Sequence, residues 1–311
     1  MAMHERIGFS ISGSDIAHLI TTIQQAEYAG VRQIWMTQGP TSIDALTVYA
    51  AAMGQTQSIR LGTSIIPTYP RHPIALMQQA YTVDSLSPGR LRLGVGSSHR
   101  PVIERTYGME MPRPLSHLKS YVSVLHQASH QGSVDWQDEW FTARASWPQA
   151  SHIPVLVATL GESAYHQAGM IADGAISWNT PLSFLQHTAI PALTAGAVAA
   201  NRSRPPLIAH AWVSIHPDID AVVATTLQTV SGYARLPFYA NMFAAAGYPV
   251  KDGVVDPKLA AALVIHGDVD AIRERVAQFF DAGIDEVLLT VVNVGDVVAD
   301  QRRLFDIVGR M

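Results

Sequence analysis

The sequence contains no cysteine. That absence excludes disulfides, a thiolate nucleophile, an iron–sulfur cluster and any zinc site built on Cys, and a reduced, cytoplasmic protein is the plain expectation. Lysine is nearly absent too: Lys119, Lys251 and Lys258 stand against 18 arginines, with a formal net charge of −4. The basic residues form no cluster, so there is no electrostatic footprint for nucleic acid. Nor is there a run of about 18 apolar residues, so no membrane span is expected. The opening stretch MAMHERIGFSISGSD holds too short an apolar segment for a signal peptide. A P-loop (GxxxxGK followed by Ser or Thr) is missing, and GTSII and GESAY each lack the second glycine of a nucleophile elbow.

What is present is a chain of 311 residues, 48% hydrophobic and 15% charged. That length suits two average domains, or one (β/α)8 barrel of about 250 residues with insertions. Short β-type runs alternate with longer amphipathic stretches. IGFSI (7–11) precedes Ser14 and Asp15, good helix caps, and apolar positions at helical spacing lead to Gly30. Further strands are expected at 31–37, 59–66, 89–98, 153–160, 173–178, 207–215 and 285–292, with helices between them. Residues 132–152 break the pattern and read as an insertion with a hairpin. Strict alternation argues for a parallel sheet, and eight repeats argue for an α/β TIM barrel with insertions. No linker rich in Gly, Pro or Ser divides the chain, so residues 1–311 are expected to form a single domain.

Several partial motifs have ordinary explanations. GVGSSHRP (94–101) starts like a dinucleotide fingerprint, but His99 stands at the third glycine and no acidic residue supplies a ribose partner. His126 and His130 share a helix face at i, i+4, but with no Glu between them and no third ligand in sight they read as a wetted surface, and no metal is expected. Asp44 and Asp84 read as caps or solvated charges.

In a (β/α)8 barrel the chemistry lies at the carboxyl ends of the strands. Here those ends are Thr37 and Gln38, Ser64 through Arg71, Gly96 through Arg100, Thr159 through Glu162, and Trp178 with Asn179. Most are small or neutral polar residues. No carboxylate pair and no metal-ligand set appears, which argues against glycosidase chemistry. Hydroxyls, backbone and aromatics suit a planar ring held by hydrogen bonds. The turn Thr159–Leu160–Gly161 runs into a helix near Glu162, where free amides can bind phosphate, or it is simply a tight strand-to-helix turn.

The stretch LGTSIIPTYPRHPIALMQQAYTVDSLSPGRLRLGVGSSHRPVIERTYGMEMPRPLSHLKSYVSVL resembles the bacterial luciferase-like superfamily. It is most similar to the coenzyme F-420-dependent oxidoreductase branch that includes methylenetetrahydromethanopterin reductase. The similarity continues through IPVLVATLGESAYHQAGMIADGAISWNTP, LPFYANMFAAAGYP and GDVDAIRERVAQFFDAGIDEV, nearly the whole chain. It implies a barrel that holds a deazaflavin, or alternatively FMN, at the strand ends. The activity implied is hydride transfer to or from a small organic substrate. An FMN-dependent monooxygenase is the alternative, and a non-catalytic flavin-binding barrel is another. A homodimer is compatible with the family.

The resemblance implies the following cofactor contacts. Thr37 and Gln38 lie near the ring, and Ser64–Ile65 forms the bulge behind it. Gly96, Ser97 and Ser98 line the ring or its side chain, with Trp178 near it. Thr159, Leu160, Gly161 and Glu162 form the phosphate loop. Many relatives have Pro and Arg where this chain has Glu162 and Ser163, so the phosphate role rests on Gly161 and its amides. Gln38 cannot shuttle a proton near neutral pH, which makes His99 the candidate catalytic acid or base. The Ser64–Ile65 peptide is expected to be cis. Arg71 and Arg100 are placed for an acidic cofactor tail, with pairing to surface carboxylates as the plainer reading. Trp136, Trp140, Phe141, Phe238, Tyr239 and Phe243 supply aromatic stock for the outer walls.

Overall fold

A computed structural model describes residues 2–311. Eight strands carry the architecture: β1 (Ile7–Ile11), β2 (Gln33–Met36), β3 (Arg60–Thr63), β4 (Leu91–Gly96), β5 (Val155–Ala158), β6 (Gly174–Ile176), β7 (Leu207–Ser214) and β8 (Glu286–Val291). Each pairs in parallel with the next, and β8 returns to β1, with Ile7 opposite Val287 and Phe9 opposite Leu289. The sheet is therefore closed, and all eight expected strands belong to it. Parallel neighbours need a crossover, and helices supply it around the outside.

Capping fixes where those helices begin. The Asp15 carboxylate accepts from the amides of Ala17 and His18 at 2.8 and 3.2 Å, starting the helix Ile16–Ala29. Gly30 closes it with a left-handed φ of 93°. Asp44 caps the helix Ala45–Met53 in the same way. Asp84 corrects its expectation: it is buried within Pro73–Leu86 and accepts from Gly89 N–H at 3.0 Å.

Inward-facing residues alternate along each strand and stack in layers. At the amino end, Arg92 reaches Glu286 at 2.6 and 2.9 Å and Gln33 at 3.0 Å. Above this polar plug sit Trp35, Leu156, Ile176, Ile208 and Leu288. The Trp35 indole occupies the room left by glycine: a Cβ on Gly62 would lie 2.3 Å from its ring. Toward the carboxyl ends, the inward faces of β7 and β8 carry His210, then Trp212 and Thr290, with His210 in register with Leu288 and Trp212 with Thr290.

Departures from the expected pattern have local causes. The third strand is shorter than expected because it breaks at Ser64–Ile65 and resumes as a two-residue pairing of Ile66–Pro67 with β4. An additional strand, Val264–His266, pairs with the carboxyl end of β7, whose amino end pairs with β6. Its three residues are too short to carry a legible period. The insertion does hold a hairpin, Ser133–Gln137 with Thr142–Ser146. Among the described residues, no helix is long and apolar enough to cross a membrane.

Candidate active site

The ends of β2 and β3 interlock. The Ser64–Ile65 peptide is cis, as expected. Thr37 Oγ1 donates to Ser64 O at 2.8 Å, and Gln38 N–H donates to Ile65 O at 3.1 Å. Both carbonyls of this turn are thus held by β2. The Gln38 side chain turns away: its Oε1 accepts from Ala45 N–H at 3.0 Å.

Beyond β4, Gly96 is squeezed between strands. A Cβ there would lie 2.9 Å from Ala158 Cβ and 3.0 Å from Ile65. Ser97 Oγ donates to Pro114 O at 3.3 Å, and Ser98 takes a left-handed φ of 60°. That turn delivers His99 to the start of the helix Arg100–Tyr107. The His99 ring packs edge-on against Tyr233 (6.0 Å between centroids) and Tyr239 (5.7 Å). Burial holds its imidazole below the ordinary histidine range, so the neutral ring is favoured.

The same aromatic cluster reaches the far side of the mouth. Trp178 lies against His210 (4.8 Å), Trp212 (5.3 Å) and Tyr233 (6.0 Å). Trp212 Nε1 donates to Asn179 Oδ1 at 2.8 Å. Toward the strand ends, buried polar atoms without a partner among the described residues include Ser64 Oγ, Asn179 Nδ2, His210 Nδ1 and Thr290 Oγ1. Buried polar groups are nearly always satisfied, so free donors and acceptors toward the strand ends suit a polar ligand. Burial holds the His210 imidazole down at about 3, so it is a neutral hydrogen-bonding group here.

At β5, Thr159 is buried and its Oγ1 donates to Ile176 O at 3.3 Å, while Leu160 is half-buried. Gly161 precedes the helix Glu162–Ile171, and nothing lies within 4 Å of where its Cβ would be. This leaves open space at the start of a ten-residue helix, where free backbone amides are the kind of group that binds an anion. The Glu162 side chain is exposed.

Other expected contacts go elsewhere. Arg71 pairs with Asp44 at 3.1 Å and Arg100 with Glu104 at 2.6 Å, so both follow the plainer reading. His72 caps the helix Pro73–Leu86 through Nδ1, accepting from Ile74 N–H at 3.2 Å. Of the aromatic stock, only Tyr239 joins the cluster around His99. Phe243 is core, Phe238 is exposed, and Trp136 packs on the core. Trp140 and Phe141 pack on His117, which stacks on Tyr69 at 3.9 Å. That stack ties the proline-rich loop to the hairpin.

Sequence reasoning missed His210, Trp212, Tyr233 and Thr290. The inward alternation of His210 and Trp212 in LIAHAWVSI is a legible signal for two of them. Tyr233 sits on the helix Ile219–Ala234, and only the tertiary fold brings it to the mouth.

The model of the luciferase-like monooxygenase family matches residues 2–286. An F-420-dependent glucose-6-phosphate dehydrogenase of Microbacterium testaceum is 26% identical over 268 residues, covering 81% of this chain and 78% of the relative. A 5,10-methylenetetrahydromethanopterin reductase of Methanopyrus kandleri is 24% identical over 334 residues, covering 95% of this chain and 93% of the relative. Among solved structures, an F-420-dependent secondary alcohol dehydrogenase in complex with an F-420–acetone adduct superposes with a TM-score of 0.82. It is 19% identical, with 98% of this chain and 97% of that chain covered.

Proposed function

The chain belongs to the luciferase-like monooxygenase family, and on that premise we propose that it is an oxidoreductase moving a hydride between coenzyme F-420 and a small organic substrate. The observation that carries the reading is the mouth itself. Buried polar atoms of Ser64, Asn179, His210 and Thr290 have no partner among the described residues, and Asn179 and His210 touch the aromatic wall in which a neutral His99 is packed. The donor set fits a planar, hydrogen-bonding cofactor. The F-420-dependent relatives direct the choice toward the deazaflavin.

The bound deazaflavin supplies hydride donation or acceptance at a ring carbon. The protein does the rest. Thr37 and Gln38 fix the Ser64–Ile65 turn that backs the ring. Gly96, Ser97 and Ser98 form the adjoining floor. The amides that follow Thr159, Leu160 and Gly161 would hold a cofactor phosphate, and the Glu162 side chain is exposed. Trp178 and its aromatic neighbours exclude water from the reacting face. His99 takes the proton released as a substrate is oxidised, and returns it in the reverse direction. Burial keeps its ring neutral, and so able to accept a proton, at neutral pH.

The family's name also covers oxygen-using monooxygenases, so FMN is the cofactor of the competing reading. Binding titrations with F-420, FMN and NADPH side by side separate the two. F-420 is expected to bind at least about tenfold tighter than FMN, a difference of about 1.4 kcal/mol. Equal affinities, or FMN retained through purification, would count against the F-420 assignment. Cofactor binding without turnover on a panel of alcohols, sugar phosphates and imines would favour a non-catalytic barrel.

A further inference from the structure

The opposite end of the barrel holds a second constellation of ligating side chains. His126 and His130 lie one turn apart on the helix Pro114–Gln131, with ring centroids 4.2 Å apart. The structure corrects their reading as a merely wetted face. Both rings turn toward Asp173, the residue immediately before β6. His126 Nε2 is 3.3 Å from Asp173 Oδ1, and His130 Nε2 is 3.0 Å from Oδ2. The three ligating atoms lie within 4.8 Å of one another. Two ligands held at about 2.0–2.1 Å by one tetrahedral ion sit about 3.3 Å apart, so the two histidine–aspartate spacings already match.

We propose that His126, His130 and Asp173 form a binding site for one divalent cation of the zinc class, clamping the helix Pro114–Gln131 to the amino ends of β5 and β6. Three features support it. The donor set, two imidazoles and a carboxylate, is one that zinc accepts, and a solvent molecule can complete the tetrahedron. The carboxylate is held in place from behind, because Val155 N–H, at the first residue of β5, donates to Asp173 Oδ2 at 2.9 Å. Such outer contacts fix a metal ligand's orientation. All three side chains are part-exposed, at 39%, 30% and 19%, which leaves an entry path. His152 stands beside His130, with 5.8 Å between ring centroids.

One neighbour opposes the ion. Arg202 Nη2 lies 4.0 Å from Asp173 Oδ1 and competes for the carboxylate. It provides a diagnostic variant, since removing its charge should tighten a metal site and weaken an ion-pair cluster.

The test is calorimetric titration of the EDTA-treated full chain with ZnCl2, alongside thermal unfolding. One ion per chain should bind, and the melting temperature should rise with zinc concentration by mass action. The double variant His126→Ala/His130→Ala should lose at least about 100-fold in affinity. His126→Gln alone should weaken binding while keeping a polar group at the helix surface. Arg202→Ala should bind severalfold tighter than the parent. Co2+ added to the parent should give the visible absorption of a four-coordinate nitrogen–oxygen site, a readout that needs no variant to fold. Absence of saturable uptake by the parent, or uptake undiminished in both histidine variants, would overturn the site. Turnover is not expected to change in any of them.

Discussion

The Trp212 indole N–H donates to Asn179 Oδ1 over 2.8 Å, while Asn179 Nδ2 is buried with no partner among the described residues. Trp212 comes from the inner face of β7 and Asn179 from the turn after β6. Asn179 is also held at a left-handed φ of 50°, which asparagine tolerates better than most residues. One side chain thus orients a wall of the mouth and keeps a donor free for a ligand.

Asn179→Ala removes the acceptor and strands a buried indole N–H. The expected loss is about 1–3 kcal/mol of stability, read by urea denaturation, with weaker cofactor binding. Asn179→Asp keeps the acceptor and should recover most of the stability but lose the free amide donor. An alanine variant as stable as the parent, with unchanged binding, would show that the pair orients nothing.

Replacing His99 separates proton transfer from binding. His99→Ala should leave F-420 affinity within a few-fold and cut turnover by about 10² to 10⁴. His99→Gln should not restore it. Burial lowers the His99 pKa, so the acid limb of the parent's pH–rate profile should fall below the usual histidine range and vanish in both variants. Parent-like turnover across pH 6 to 8 would move the proton to water or substrate.

Tyr239→Ala opens the desolvating wall beside His99. The His99 pKa should then rise toward about 6.5, followed by its imidazole proton resonance in a pH titration. An unmoved resonance would mean that other contacts bury the ring.

Acid should weaken the fold through two buried neutral histidines. Burial holds His117 down at about 4, partly opposed by Asp138, and His210 down at about 3. The unfolded chain takes up these protons near pH 6.5, so the stabilisation is complete above that value and is lost as the pH falls toward 4 and 3. Between pH 7 and 5 each contributes a loss of roughly 2 kcal/mol. His117→Phe, which keeps an aromatic ring on Tyr69, should flatten the pH dependence by that share. A parent equally stable at pH 7 and 5 would contradict the assignment. Asp173 acts lower: burial would raise its carboxyl, but hydrogen bonds from His126, Val155 and His130 hold it at about 2. Its stabilisation is therefore lost only as the pH falls from about 4 toward 2.

The plug at the amino end should be intolerant of losing one partner. Arg92→Leu leaves Glu286 buried without its bidentate cation and should cost about 3–5 kcal/mol. Adding Glu286→Leu should return part of that loss, because a buried pair replaced on both sides leaves no stranded charge. A single variant within 1 kcal/mol of the parent on the same unfolding curve would refute the account (about the scatter expected of a surface change).

The sequence by itself determined the barrel, because alternation of eight apolar runs with helices is a local pattern repeated along the chain. It located the strand ends for the same reason: a strand stops where apolar residues give way to Gly, Ser and Thr. The Ser64–Ile65 peptide was legible there too, from a small residue before a β-branched one and the family resemblance. Pairings across the barrel were decided only by the tertiary structure. Gln38 lies at a strand end, yet its side chain is spent on Ala45; Arg71 and Arg100 have the charge for an acidic tail, yet each faces a carboxylate. Tyr233 joins His99 from 134 positions away, and Asp173 completes a cluster with His126 and His130 from a different crossover. Periodicity records which face of an element is buried, whereas which two faces meet depends on closure of the whole sheet, and no local window of sequence contains that.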